Sequence, residues 1–314
     1  MLYVALTGLH MLITRRGTNL YLVKQVDHGE LAGQIARAWG NERFDPPTPL
    51  DSCCIAAAKH DEGWRIWDDR SAMNDKEARP LHFLEIGMED HIPLYRSGVD
   101  AVTALDEYAG LLVGMHWTGL YRGRWGLQPS PAGLIQVDRT PIQRLQDSAV
   151  AGEESRWIPV KERLWHGRGP RSTFEAELWH NYDRLQAWDL LSLSVCMAVF
   201  DAVSPDSEPA LLSSNLKSLD QQAGSHIIPN VPTGIGRAPV DLILRVIEPG
   251  IMSVEPYPFT DPRVAFSVEA AVISDRSYSS AEIVGTMKRA DKVVIRCEMR
   301  SADSARANEP SVAR

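Results

Sequence analysis

The feature that most constrains this chain is a change of texture after Pro205. Before it, from about residue 27 to residue 204, apolar positions keep helical spacing. In "TFEAELWHNYDRLQAWDLLSLSVCMAVF" the residues Leu178, Leu185, Trp188, Leu191 and Val195 share one face. After it, "VDLILRVIEPGIMSVEPYPF", "VAFSVEAAVI" and "DKVVIRCEM" are rich in β-branched residues and are punctuated by Pro, Gly and Asp, which is strand patterning. Near the other end, "MLITRRGTNLYLVK" places two apolar runs around "RRGTN" and reads as a hairpin. The expected organisation is a hairpin in 1–26, a helical core in 27–204, a β-rich segment packed on the core in 205–300, and a disordered tail in 301–314. The expected fold class is mainly α: a helical bundle with a small sheet built from the hairpin and the C-terminal segment. Three short β runs alone would leave open edges, which joining the hairpin would cover.

Composition narrows the function classes. A net charge of −8 argues against a dedicated nucleic-acid binder, since phosphate contact needs a basic face. No apolar run approaches the roughly 18 residues of a membrane helix, so no span and no membrane partner are expected. "MLYVALTGLHMLITRRG" lacks a basic start and reads as a strand, not a signal peptide. The four cysteines form no CxxC pair and read as reduced core residues of a cytoplasmic protein.

Within the core, Asp27 is placed to cap a helix over "HGELAGQIARAWG", in which Leu31, Ile35 and Ala38 share a face. "FDPPTPL" is a loop, and "DDRSAMNDKEARPLHFLEIG" a loop region. Residues 90–119 read as one or two helices, and 130–172 carry few signals. "CCIAAAKHDEGW" holds the sharpest anomaly. An apolar helical run, Cys53 to Ala58, ends in His60 and Asp61, two titratable groups that are costly to bury unless something satisfies them.

Nine histidines are present, and a scattered histidine is ordinarily a hydrogen-bonded structural residue. Their order carries more. His28, then His60 with Asp61, then His91, then His116, then Asp189 each fall on or at the end of an expected helix, and a helical bundle can converge such side chains on one point. Imidazole and carboxylate together suit iron, manganese and zinc. His82 is the rival of His91, and Asp183 of Asp189. His91 is preferred for its helix start and its distance from His116, and Asp189 because it enters the apolar run "LLSLSVC". Glu62, Trp64, Trp117, Tyr121, Arg122 and Arg124 are the candidate lining of a substrate pocket beside it, although tryptophans at such positions are as readily core.

The order "H…HD…H…H…D" resembles that of the HD-domain metalloenzyme superfamily. The likeness covers about residues 20 to 200, through "VDHGELAGQIA", "KHDEGW", "DHIPLYRSG", "GMHWTGLY" and "AWDLLSLSV". The whole chain also resembles an uncharacterised bacterial family with such a core and a β-rich C-terminus. The resemblance implies two divalent metal ions, iron before manganese or zinc, held by His28, His60, Asp61, His91, His116 and Asp189. His60 and Asp61 would be the catalytic pair, with Asp61 bridging both ions. It implies two activities: a diiron oxygenase acting on a small hydroxyl-bearing substrate, similar to myo-inositol oxygenase, or a metal-dependent phosphohydrolase or phosphodiesterase. A metal-stabilised binding protein without catalysis is the third possibility. The candidate partner that the resemblance implies is a small-molecule substrate. The doublet runs "HDEGW", without the basic residue that many members carry three positions after the Asp, and this weighs against a bulky phosphate substrate.

Overall fold

The computed structural model of the chain describes residues 10–68, 73–74, 78–122, 141–167, 169–201 and 225–301. The strands are β1 (His10–Arg16), β2 (Asn19–Lys24), β3 (Met73–Asn74), β4 (Arg79–His82), β5 (Ser225–Val231), β6 (Val240–Glu248), β7 (Ile251–Glu255), β8 (Arg263–Ser274) and β9 (Asp291–Ser301). They form one sheet in the order β3-β4-β1-β2-β8-β9-β7-β6-β5. It is mixed: β1 with β4 and β7 with β9 run parallel, and the other neighbours antiparallel. The helices are α1 (Gln25–Ala38), α2 (Leu50–Lys59), α3 (Arg65–Asp68), α4 (Met88–Leu105), α5 (Glu107–Tyr121), α6 (Pro141–Trp165), α7 (Arg171–Asp201) and α8 (Ser280–Lys288).

This corrects the expected fold class. The chain is an α/β protein built on a large mixed sheet, not a mainly α bundle of the HD type with a small sheet beside it. The hairpin and the C-terminal strands do join, through β2 against β8 from Asn19↔Ser274 to Leu22↔Ala271. The sheet then extends well past that seam. β8 and β9 are long and pair over ten positions, and β8 alternates, with Val264, Phe266, Val268 and Ala270 facing the helices. The segment 68–87, expected as loop, contributes β4 beside β1.

Both faces of the hairpin are covered. Leu12 and Val23 belong to the main core under the helices, whereas Met11, Ile13, Leu20 and Leu22 pack with Ile273, Tyr278 and Ile283 under α8. Sequence reading placed only strands in this region and missed α8. The helix begins with a capping box in which Ser279 and Glu282 satisfy each other's backbone N–H groups.

Two close approaches position the site. The Cβ that Gly33 lacks would lie 2.6 Å from Ala58 Cβ, so α1 seats directly on α2. Gly63 has no room either: a Cβ there would lie 2.2 Å from the Leu94 carbonyl oxygen, which brings α4 against the short 3-10 turn Glu62–Trp64. The α1 N-terminus is not capped by Asp27, which lies within its first turn. Asp68 from α3 takes that part, accepting from Val26 N at 3.1 Å and Gln25 N at 3.3 Å. The C-terminal segment is tied to the helices by Asn41, whose amide donates to the carbonyls of Tyr257 and Phe259. Cys53, Cys54, Cys196 and Cys297 are free and buried. Among the described residues no helix is long and apolar enough to cross a membrane. The tail expected to be disordered lies outside the described residues, except Ser301 at the end of β9.

Candidate metal centre

Four elements aim polar side chains at one buried point. His28 comes from α1, His60 and Asp61 from the C-terminal end of α2, His116 from α5, and Asp189 from α7. All five are between 1 and 4% exposed. Two carboxylates and three imidazoles so far from water are a severe desolvation cost unless a compensating charge joins them.

The donor atoms crowd together. His28 Nε2 lies 3.1 Å from His60 Nε2. Asp189 Oδ1 is 3.2 Å from His28 Nε2 and 3.4 Å from His60 Nε2. Asp61 Oδ2 is 3.7 Å from His28 Nε2 and 3.6 Å from His60 Nε2. Ligands about 2.0–2.2 Å from a shared cation stand about 2.8–3.6 Å apart at angles between square and tetrahedral. The observed separations fall in or at the edge of that range, so the donor set fits a divalent ion. His116 belongs to an overlapping group with His60 and Asp189, and the donors of each group lie within 4.8 Å of one another.

Hydrogen bonds on the outer side of the rings fix which nitrogen faces inward. The Ala57 carbonyl can only accept, so the His60 Nδ1, 2.8 Å away, donates to it and leaves Nε2 toward the centre. The Ser192 hydroxyl donates to the Asp189 carbonyl at 2.7 Å. Its oxygen therefore accepts from His28 Nδ1, 2.6 Å away, and His28 Nε2 also faces inward. The Gln186 amide lies 3.2 Å from His116 Nδ1 and orients the third ring. Such outer partners are the usual support of metal-ligating imidazoles.

The electrostatics agree. Burial opposes a charge on His60, yet the Asp61 and Asp189 carboxylates outweigh it and hold the imidazole up at about 9. His116 goes the other way, pushed down to about 4 by burial and then by the neighbouring His60 cation. Burial would raise Asp189, but His60 and His28 hold its carboxyl well below the ordinary value. Without a cation, the carboxylates keep a proton at the point where the donors meet.

The structure thus brings together five of the six expected ligands. His91 does not join either group. It lies on α4 with its Nδ1 in a hydrogen bond to the Tyr121 hydroxyl and its ring edge-on to Tyr95, centroids 4.6 Å apart. Its rival His82 is buried beside Phe83, outside both groups, and so is the half-buried Asp183. Of the expected pocket residues, Trp64 and Trp117 are fully buried, and Tyr121 packs edge-on against Trp117. Glu62 is held by Arg65 and Lys59, and Arg122 pairs at the surface with Glu154. Arg124 lies outside the described residues.

Sequence reading missed Gln186, Ser192 and Tyr95. The first two had a signal: Gln186, Asp189 and Ser192 are polar at three-residue intervals in an apolar helix, hence on one face. Tyr95 follows His91 by one helical turn, but nothing local distinguishes it from a core tyrosine.

No curated protein and no solved structure matches the chain. A family model described as a protein of unknown function, DUF3891, matches residues 11–275, a span that holds every residue of this centre and ends just past β8. That match covers most of the chain, which therefore belongs to the DUF3891 family.

Proposed function

We propose that this chain is a metal-dependent enzyme with the HD-type order of ligands, in which His28, His60, Asp61, His116 and Asp189 hold a divalent cation. The observation that carries the reading is the set of inward-facing donors spaced as the ligands of one ion would be. The reaction class taken first is hydrolysis of a small substrate, such as a phosphoester, because any divalent cation these ligands accept would serve it, whereas an oxygenase requires a redox-active ion. A cation there would act as a Lewis acid, making water nucleophilic near neutral pH and polarising the bond to be broken.

The chain's own groups do the rest. Ser192, the Ala57 carbonyl and Gln186 set the orientation of His28, His60 and His116. Asp61 is fixed by the Tyr95 hydroxyl, which donates to Oδ1 at 2.8 Å. Trp64 and Trp117, both fully buried, pack against Tyr95 on that side.

A second reading is an iron-dependent oxygenase acting on a small hydroxyl-bearing compound. What favours it is the neighbourhood: Trp64, Tyr95, Trp117 and Tyr121 form an aromatic cluster that meets the site through the Tyr95–Asp61 bond, while Lys59, Arg65 and Arg122 are engaged with carboxylates. A phosphate subsite ordinarily relies on such cations.

One experiment decides between the two. Chain stripped of metal is loaded with Mn(II) or Fe(II), then given a panel of phosphomonoesters and phosphodiesters with phosphate release measured, and in parallel a panel of small polyols with oxygen uptake measured. Metal-dependent phosphate release that vanishes in Asp61→Ala supports the hydrolase. Fe(II)-dependent oxygen uptake without phosphate release replaces it with the oxygenase, and a loaded chain inert in both panels overturns both.

A further inference from the structure

We infer that this centre takes one cation and not two, and that Tyr95 is the residue that keeps it so. The inference rests on the metal reading above and concerns only the number of ions.

A carboxylate that bridges two cations offers one oxygen to each. Asp61 is not arranged that way. Its Oδ2 faces the His28 and His60 nitrogens. Its Oδ1 accepts the Tyr95 hydroxyl proton at 2.8 Å. The same hydroxyl accepts from Trp64 Nε1 at 3.4 Å, so the phenol has a donor and an acceptor partner and is complete as it stands.

Tyr95 is also wedged in place. Its ring is edge-on to His91 at 4.6 Å, stacked on Trp117 at 6.4 Å and 21°, and edge-on to Trp64 at 6.3 Å. The phenol thus contacts both Asp61, through its hydroxyl, and the His91 ring, the two groups a second ion would have to join. His91 joins neither donor group, and its Nδ1 is bonded to the Tyr121 hydroxyl. His116, the other residue a second ion would need, sits instead in the group with His60 and Asp189. Admitting a second ion would break the Tyr95–Asp61 bond, strand a buried hydroxyl and open a packed aromatic cluster. Each of those costs free energy in a dry interior.

The test uses the full chain, freed of metal by chelation and titrated with Mn(II), with bound metal counted after dialysis and the spin state read by electron paramagnetic resonance. Wild type is expected to bind one Mn(II) per chain with the signal of an isolated ion. His91→Ala should keep that stoichiometry and affinity, whereas disturbing a ligand's support ordinarily costs about 10–100-fold in affinity. Tyr95→Phe keeps the ring but frees Asp61 Oδ1, and is expected to gain a second ion coupled to the first. Two coupled ions in wild type would overturn the inference and leave the metal reading intact. So would loss of metal in His91→Ala, or a single ion in a folded Tyr95→Phe. If Tyr95→Phe does not fold, wild type and His91→Ala decide the matter between them. No ion in wild type overturns the metal reading itself, and this inference with it.

Discussion

Ser192 stands one helical turn beyond Asp189 on α7, and its hydroxyl links that residue's carbonyl to His28 Nδ1. One side chain thus ties a carboxylate ligand and an imidazole ligand from different helices into a single unit. Removing it should loosen the centre more than the fold. Ser192→Ala is expected to lower divalent-metal affinity by about 10–100-fold, as outer partners of metal ligands ordinarily do. The metal-free chain should lose only the stability that one buried hydrogen bond contributes, about 1 kcal/mol, seen as a small drop in melting temperature. Dialysis against a metal buffer and thermal melting, read on the same sample, separate the two. Unchanged affinity would mean that His28 needs no such support.

Asp61→Ala should abolish metal binding and leave the fold. The core of apolar side chains under the sheet is buried whether or not a cation is present, so circular dichroism should keep its native form. Were His60 and Asp61 only a buried hydrogen-bonded pair, the variant would lose a few kcal/mol of stability with metal content untouched.

Metal binding should release protons. His60 is held up at about 9 by Asp61 and Asp189 when no cation is present, so at pH 7.5 a cation must displace its proton. Calorimetric titration in two buffers of different ionisation enthalpy is expected to show release approaching one proton per ion at pH 7.5 and fading above pH 9. No buffer dependence would contradict the geometry.

The metal-free chain should lose stability in both pH directions from this cluster. His60 binds its proton more tightly when folded, so its contribution is complete below about 6.5 and is lost as pH rises from there to about 9. His116, pushed down to about 4, stays neutral while its unfolded counterpart charges, so its contribution is lost as pH falls from about 6.5 to 4. Chemical denaturation across this range should show a maximum near pH 6.5 that flattens in His60→Gln.

Gly33→Val should separate α1 from α2. A Cβ at residue 33 would already lie 2.6 Å from Ala58 Cβ, so the larger side chain forces the helices apart, at about 1–3 kcal/mol for overpacking. It should also move His28 off His60 and weaken metal binding. Ala58→Gly in the same chain should restore part of both, and no restoration would show that the contact does not set the spacing of the two ligands.

Particular residues show how much was legible in the sequence. His28, His60, Asp61, His116 and Asp189 were readable as candidate ligands because their chemistry and their order along successive helices are local properties. So was the preference for Asp189 over Asp183, since the one enters an apolar helical run and the other does not. The hairpin and the strands after Pro205 were readable from two-residue alternation. The helix α8 had a local signal in the capping-box pair Ser279 and Glu282.

Tertiary structure alone decided the rest. The fold class turned on how far strands continue to pair, and a sheet grows by hydrogen bonds between segments distant in sequence, such as Leu22 with Ala271, which no local pattern specifies. The place of His91 turned on which way α4 rotates when Gly63 lets it close on the turn after Asp61, and on a tyrosine at residue 95 reaching the carboxylate first. A sequence fixes which groups can bind a cation. Which of them meet depends on helix rotation and approach of a few ångströms, and those are set by packing of the whole core.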